Sequence, residues 1–191
     1  LTFTLRRPED RTIRQFLADR SADEFSYPEV GLSATGVPQG YNVDHNRILL
    51  GHGPEVFAKA RLAIEAWKMF DIGWVELIHA PEAIRVGMNV AILARSAGLY
   101  SLSSCRVVYL LDEAEPIRRW GFGYGTLTNH VERGEERFSV EWRSDDSVWY
   151  DIVAFSQPRH WFAKLGYPVA RHYQRRFAQD SKAAMKRAVA R

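Results

Sequence analysis

Between Trp74 and Ser156 the chain breaks into short extended runs divided by turn residues, and no helical pattern ten residues long separates any two of them. That spacing constrains the fold more than anything else in the sequence. A parallel strand pair needs a crossover of about a dozen residues or more, usually a helix, so these runs must pair antiparallel. They span 74–79, 86–95, 104–112, 118–127, 136–143 and 147–156, with breaks at Gly87, Gly98, Glu113–Pro116, Asn129–Gly134 and Asp145-Asp146. In 138–143, Phe138, Val140 and Trp142 alternate with Ser139, Glu141 and Arg143. Alternation of that kind predicts one buried and one wet face.

Helical signals flank this block. Tyr41 to Leu50 reads as a further strand, and the turn Gly51-His52-Gly53 leads to Pro54 and Glu55, which suit a helix start. Val56, Phe57, Ala60, Ala63, Ile64, Trp67 and Phe70 then form a stripe of 3.6-residue period, predicting a helix over 54–70 that stops before Gly73. A last helix is expected over about 160–189, where Leu165, Val169, Tyr173, Phe177, Ala184 and Ala188 recur at or near helical spacing. Pro168 should kink it or start a second segment. Residues 1–40 are irregular, but Phe25, Tyr27, Val30 and Leu32 need burial, so an arm lying on a domain of 41–191 is expected.

The charge is unevenly placed. The net is +3, yet residues 159–191 carry nine Lys/Arg against Asp180 alone, a local +8 that leaves −5 on residues 1–158. Such an end suits anionic lipid or a protein partner, or packs as a helix on an acidic body. Aromatics do not interleave with these charges on an exposed face, which argues against nucleic acid. No apolar run approaches the ~18 residues of a membrane span, so no stable membrane insertion is expected. With Cys105 the single cysteine and no secretory signal pattern, the expected setting is a reducing cytoplasm without an internal disulfide. Oligomeric state is left open.

Several motifs occur in order along the chain: Tyr27-Pro-Glu-Val-Gly31, Leu50-Gly-His-Gly-Pro54, Cys105-Arg-Val-Val-Tyr109, Gly121-Phe-Gly-Tyr-Gly-Thr-Leu127 with His130, Gly134-Glu-Glu-Arg-Phe138, and Ala154-Phe-Ser-Gln-Pro158. In these the sequence resembles uncharacterised protein family 0548, known mainly as a domain of unknown function. The element order resembles the START-like (helix-grip) fold: an α+β architecture with an antiparallel sheet of about six to seven strands wrapped around a long C-terminal helix. The resemblance implies a cavity between sheet and helix and carries over no catalytic residue.

Candidate chemistry concentrates around Tyr124, Thr126, His130, Glu132, Arg133, Glu135 and Glu136, beside an expected turn. His130 with Glu132 or Glu135 could perform acid–base work, since imidazole titrates near neutrality and a carboxylate can fix its tautomer. The alternative is that Glu135 and Glu136 tie off the turn, with His130 at its rim. The six histidines are scattered without ligand spacing, so no metal is expected, and no cofactor. Gly121-x-Gly123-x-Gly125 lacks the spacing and the following helix of a dinucleotide loop. It reads as a strand with Trp120, Phe122 and Tyr124 on one face and a bare other face, without saying which looks inward. Cys105 reads as a small buried apolar residue.

The function expected is a non-catalytic binding module for a small apolar or amphipathic molecule in that cavity, lined by Trp120, Tyr124, Val169, Tyr173 and Phe177, with Arg106 as a second polar group. An enzyme on the same fold and an interaction protein using the basic C-terminal helix are the alternatives.

Overall fold

The computed structural model describes residues 2–128, 130, 132–158 and 167–190. The strands are β1 (Thr2–Thr4), β2 (Asn42–His52), β3 (Val75–Ile78), β4 (Asn89–Ser96), β5 (Leu99–Glu113), β6 (Arg118–Thr126), β7 (Glu132–Trp142) and β8 (Ser147–Pro158). The helices are α1 (Asp10–Ala18), α2 (Pro54–Glu65) and α3 (Tyr167–Val189). All strands join one antiparallel sheet in the order β2-β8-β7-β6-β5-β4-β3. β6 pairs β5 only from Cys105 onward, and β1 takes the same flank further along, at Tyr100 to Leu102.

The sheet has two differently covered faces. Phe122, Phe138, Val140, Tyr150 and Ile152 point to the side of α2 and α3, where they meet Phe57, Ile64, Met69 and Met185 in the main core. Burying each such side chain stabilises the fold by about 1.5–3 kcal/mol. A second, smaller cluster on the opposite face seats α1 through Ile13 and Phe16 on Ala91, Leu93 and Leu102. The structure is therefore an antiparallel sheet gripping a C-terminal helix, with an arm on its back.

Several boundaries differ from the sequence expectation: β4 starts at Asn89 rather than 86, β5 at Leu99 rather than 104, and two further differences bear on the site. α2 ends at Glu65 because Trp67 adopts a left-handed backbone (φ 55°), and a short 3-10 turn follows over Lys68–Phe70. That break carries the Trp67 ring to 4.8 Å from Phe122 and the Phe70 ring to 5.6 Å from Phe138, so aromatic packing outweighs an uncommon backbone region. β7 begins at Glu132 rather than 136, which turns the expected polar turn into strand. The expected helical residues 160–166, with Leu165, lie outside the described residues. Pro168 falls in the first described turn of α3, so the expected kink or second segment lies at the edge of the described residues.

Candidate functional site

Because β7 is extended from Glu132 onward, its charged residues alternate between faces. Glu135 points to the arm side. There it is buried and accepts hydrogen bonds from the Tyr27 hydroxyl (2.6 Å), Gly31 N (2.7 Å), Ser33 N (2.9 Å) and Ser33 Oγ (2.5 Å). Burial next to that carboxylate pushes the Tyr27 hydroxyl far above its ordinary range. Arg137 continues the row, donating to Ser33 O (2.9 Å) and to Asp151 (3.2 Å), which His45 also meets at 2.6 Å. Arg106 lies on this side too. It donates to Asn89 Oδ1 and to the backbone carbonyls of Asp23, Arg20 and Ser21. Glu135 and Arg106 thus hold the arm, on the face opposite α3, and the placement expected for them beside His130 or in the cavity is corrected.

The glycines of β6 belong to the same face. A Cβ on Gly123 would lie 2.4 Å from the Tyr109 ring, and one on Gly125 1.9 Å from the Tyr27 hydroxyl. The face that Trp120, Phe122 and Tyr124 present looks toward the helices, and the bare face is filled by tyrosines at Gly123 and Gly125 and closely approached by β7 at Gly121.

On the helix side, Glu132 and Glu136 project from β7 toward α3. Tyr124 donates to Glu136 Oε2 (2.9 Å), while Gln174 of α3 donates to Glu132 Oε2 (2.6 Å) and contacts Ser156 Oγ (3.2 Å). Arg171 of α3 forms an ion pair with Asp44 of β2. Burial, reinforced by the charges of Asp44 and Glu132, pushes the Glu136 carboxyl up to about 7. Burial raises Glu132 as well, against the Gln174 hydrogen bond, and keeps Tyr124 well above its ordinary value, so its phenol stays a donor. Near neutral pH Glu136 is divided between acid and carboxylate and can either donate or accept.

Apolar side chains lead away from this polar end. Trp74, Leu77, Ile92 and Phe177 pack against the core but keep accessible surface, and Tyr173 stacks 5.5 Å from Trp74. Glu136 is likewise only half-buried. These partly exposed side chains stand on the helix side of the sheet, near the N-terminal half of α3, and mark the candidate site: apolar residues of β3, β4 and α3 with the Glu136 carboxyl of β7 on the same face.

The remaining expected site residues separate. His130 is half-buried, desolvation lowers its imidazole to about 4, and Nδ1 accepts the Glu132 backbone N–H at 3.1 Å. The described contacts of its ring are with backbone, not with a carboxylate. Trp120 is buried beneath Arg61 of α2, away from the polar end, and Val169 is 59% exposed, turned from the sheet. Tyr124 and Phe177 share the Phe70 and Phe138 rings as neighbours, and Tyr173 lies on Trp74. Glu136, expected only to tie off a turn, bonds Tyr124 instead, and Gln174 and Trp74 were absent from the expected set. Among the described residues no group of three or more His, Cys, Asp or Glu is placed to hold a metal.

Residues 26–184 match the domain of unknown function DUF1990. The chain belongs to this family. Its relatives include a UPF0548 protein of Dictyostelium discoideum, 37% identical over 98% of this chain and 95% of the relative. UPF0548 proteins of Deinococcus radiodurans and Arabidopsis thaliana are 35% and 33% identical, covering 93% and 76% of this chain and 93% and 72% of their own lengths. Among solved structures, this DUF1990 chain is similar to a hypothetical protein of Helicobacter pylori (TM-score 0.57, 10% identity, 85% of this chain and 94% of the other). A protein of Thermus thermophilus is similar too (0.56, 11%, 78% and 97%), as is Ara h 8.0201 (0.51, 10%, 79% and 99%). At such identities the likeness establishes the START-like helix-grip fold of the DUF1990 chain and nothing about what it binds.

Proposed function

We propose that this protein is a non-catalytic binding module for a small apolar or amphipathic molecule, held between the sheet and the N-terminal half of α3. The observation that carries the reading is the partial exposure of Trp74, Leu77, Ile92 and Phe177 on the sheet face that also holds the Tyr124–Glu136 hydrogen bond; a crevice there suits an apolar ligand with one polar group. Ile92→Trp should fill that space. The parent protein is expected to enhance the fluorescence of the neutral probe N-phenyl-1-naphthylamine, Ile92→Trp to lose most of that signal, and the exposed Val169→Trp to keep it. A parent that gives no enhancement, or an Ile92→Trp variant that folds and binds equally well, would remove the crevice as the site.

One observation favours a second reading. A carboxyl near 7 beside a phenol is poised for proton transfer, so an acid–base enzyme would use Glu136 and Tyr124 in place of His130 with Glu132 or Glu135. Native mass spectrometry of protein purified from its own host separates the two. A co-purifying molecule returned unchanged after incubation supports binding. A mass change that Glu136→Gln prevents would transfer the assignment to the enzyme.

A further inference from the structure

At the other end of α3 its last turns lie beside α2, and the two helices enclose a shallow groove of about 310 Å³. The floor is made by Ala63, Ala66, Ala184 and Ala188, too small to form a deep pocket. On the rim stand Lys59, Lys68 and Arg187 against the single acidic residue Asp71, with Lys186 exposed one residue along, so the cations outnumber the anion. Among the described residues none of these four cations has a salt-bridge partner, although Arg187 donates to the Asp71 carbonyl. Leu62 also lines the groove and is 62% exposed, an unusual position for a leucine between lysines.

We propose that this face of α2 and α3 docks on an anionic lipid surface, its cations among the headgroups and Leu62 at the acyl boundary. Charge complementarity supplies the attraction. Unpaired Lys and Arg within a Debye length of a negative bilayer are drawn to it without specific geometry, and a single protruding apolar side chain adds a shallow anchor. An acidic protein partner fits less well. A stable interface buries about 800 Å² per partner around anchored side chains, and the alanine floor gives such anchors no pocket. The inference is independent of the crevice, which lies at the opposite end of α3.

Sedimentation with vesicles tests it. Vesicles of phosphatidylcholine containing ~30% phosphatidylglycerol should carry down most of the protein at low salt, phosphatidylcholine vesicles little, and half-molar salt should release it. The double variant Lys59→Glu/Lys68→Glu should lower the partition coefficient at least about tenfold and Leu62→Ser about threefold. Arg14→Glu, an exposed charge on α1 across the sheet, should change it little. Equal binding to both vesicle types, or an equal loss with Arg14→Glu, would overturn the docking face. Binding to soluble poly-glutamate with no vesicle binding would do so as well, by assigning the groove to an acidic protein.

Discussion

Glu136 and His130 titrate in opposite senses, and this can be read out residue by residue. The folded-state carboxyl of Glu136 is raised to about 7, so the native state holds a proton that the unfolded chain releases near 4.5. Its contribution is fully present below about 4.5 and is lost as pH rises through 7. The His130 imidazole is lowered to about 4 from 6.5, so its contribution is present above 6.5 and is lost as pH falls toward 4. Between 4.5 and 6.5 the two oppose each other, and a parent stability curve understates both. Glu136→Gln should therefore remove the fall due to Glu136 and uncover the His130 rise in unfolding free energy between pH 5 and 6.5, and the variant should be the more stable form at pH 8, by up to about 2 kcal/mol. Urea unfolding at these pH values checks this, and an identical slope in parent and variant would show that Glu136 is ordinarily hydrated. Glu136 was within reach of the sequence. The alternation of Phe138, Val140 and Trp142, carried back two residues, puts it on the helix face. What hid it was the polarity of Arg133-Gly134-Glu135-Glu136, which reads as turn although both neighbouring strands pair along it.

Among the elements, β6 shows how a strand can be designed from two unlike faces. Its aromatic residues build the core, while its glycines leave room for rings supplied by β5 and the arm. A Gly125→Ala change drives a methyl group into the Tyr27 hydroxyl and should cost about 1–3 kcal/mol. Combined with Tyr27→Ala it should cost less than the two single changes added together, because the clash is then gone. Additive costs in a denaturant double-mutant cycle would mean that the arm does not press on this strand. The strand pattern itself was plainly written in the sequence, since short runs with Gly and Pro breaks leave little choice but an antiparallel sheet. The facing of β6 was not, because it depends on its register against β7 and on an arm with no periodicity to announce where it lies.

Over the whole molecule the two faces of the sheet do separate work. The arm is secured by Glu135, Arg137 and Arg106, and the crevice by α3 and its contacts with Asp44 and Glu132. Glu135→Ala leaves the Gly31 and Ser33 amides without their acceptor. It is expected to cost about 3 kcal/mol and to speed amide exchange over 25–35, while probe binding in the crevice persists at temperatures where the variant is folded. Loss of probe binding without loss of stability would show that the faces are coupled. The basic C-terminal segment, conspicuous in the sequence, divides along α3: Arg171 is committed to the body of the protein at one end, Lys186 and Arg187 are left to solvent at the other. One-dimensional charge counting sees the total and not the division. The sheet order also has a consequence in time. Among the described residues β2 finds its one strand partner in β8, made about a hundred residues later, with Asn42 opposite Ser156 and His52 opposite Ser147. At synthesis rates of about 5–20 residues per second, a nascent β2 waits roughly 5–20 seconds for that partner, and the helix that seals the core emerges later still. Through that interval the ribosome-bound chain carries an unpaired strand and an uncovered aromatic face, exposure of the kind that favours aggregation of a nascent chain.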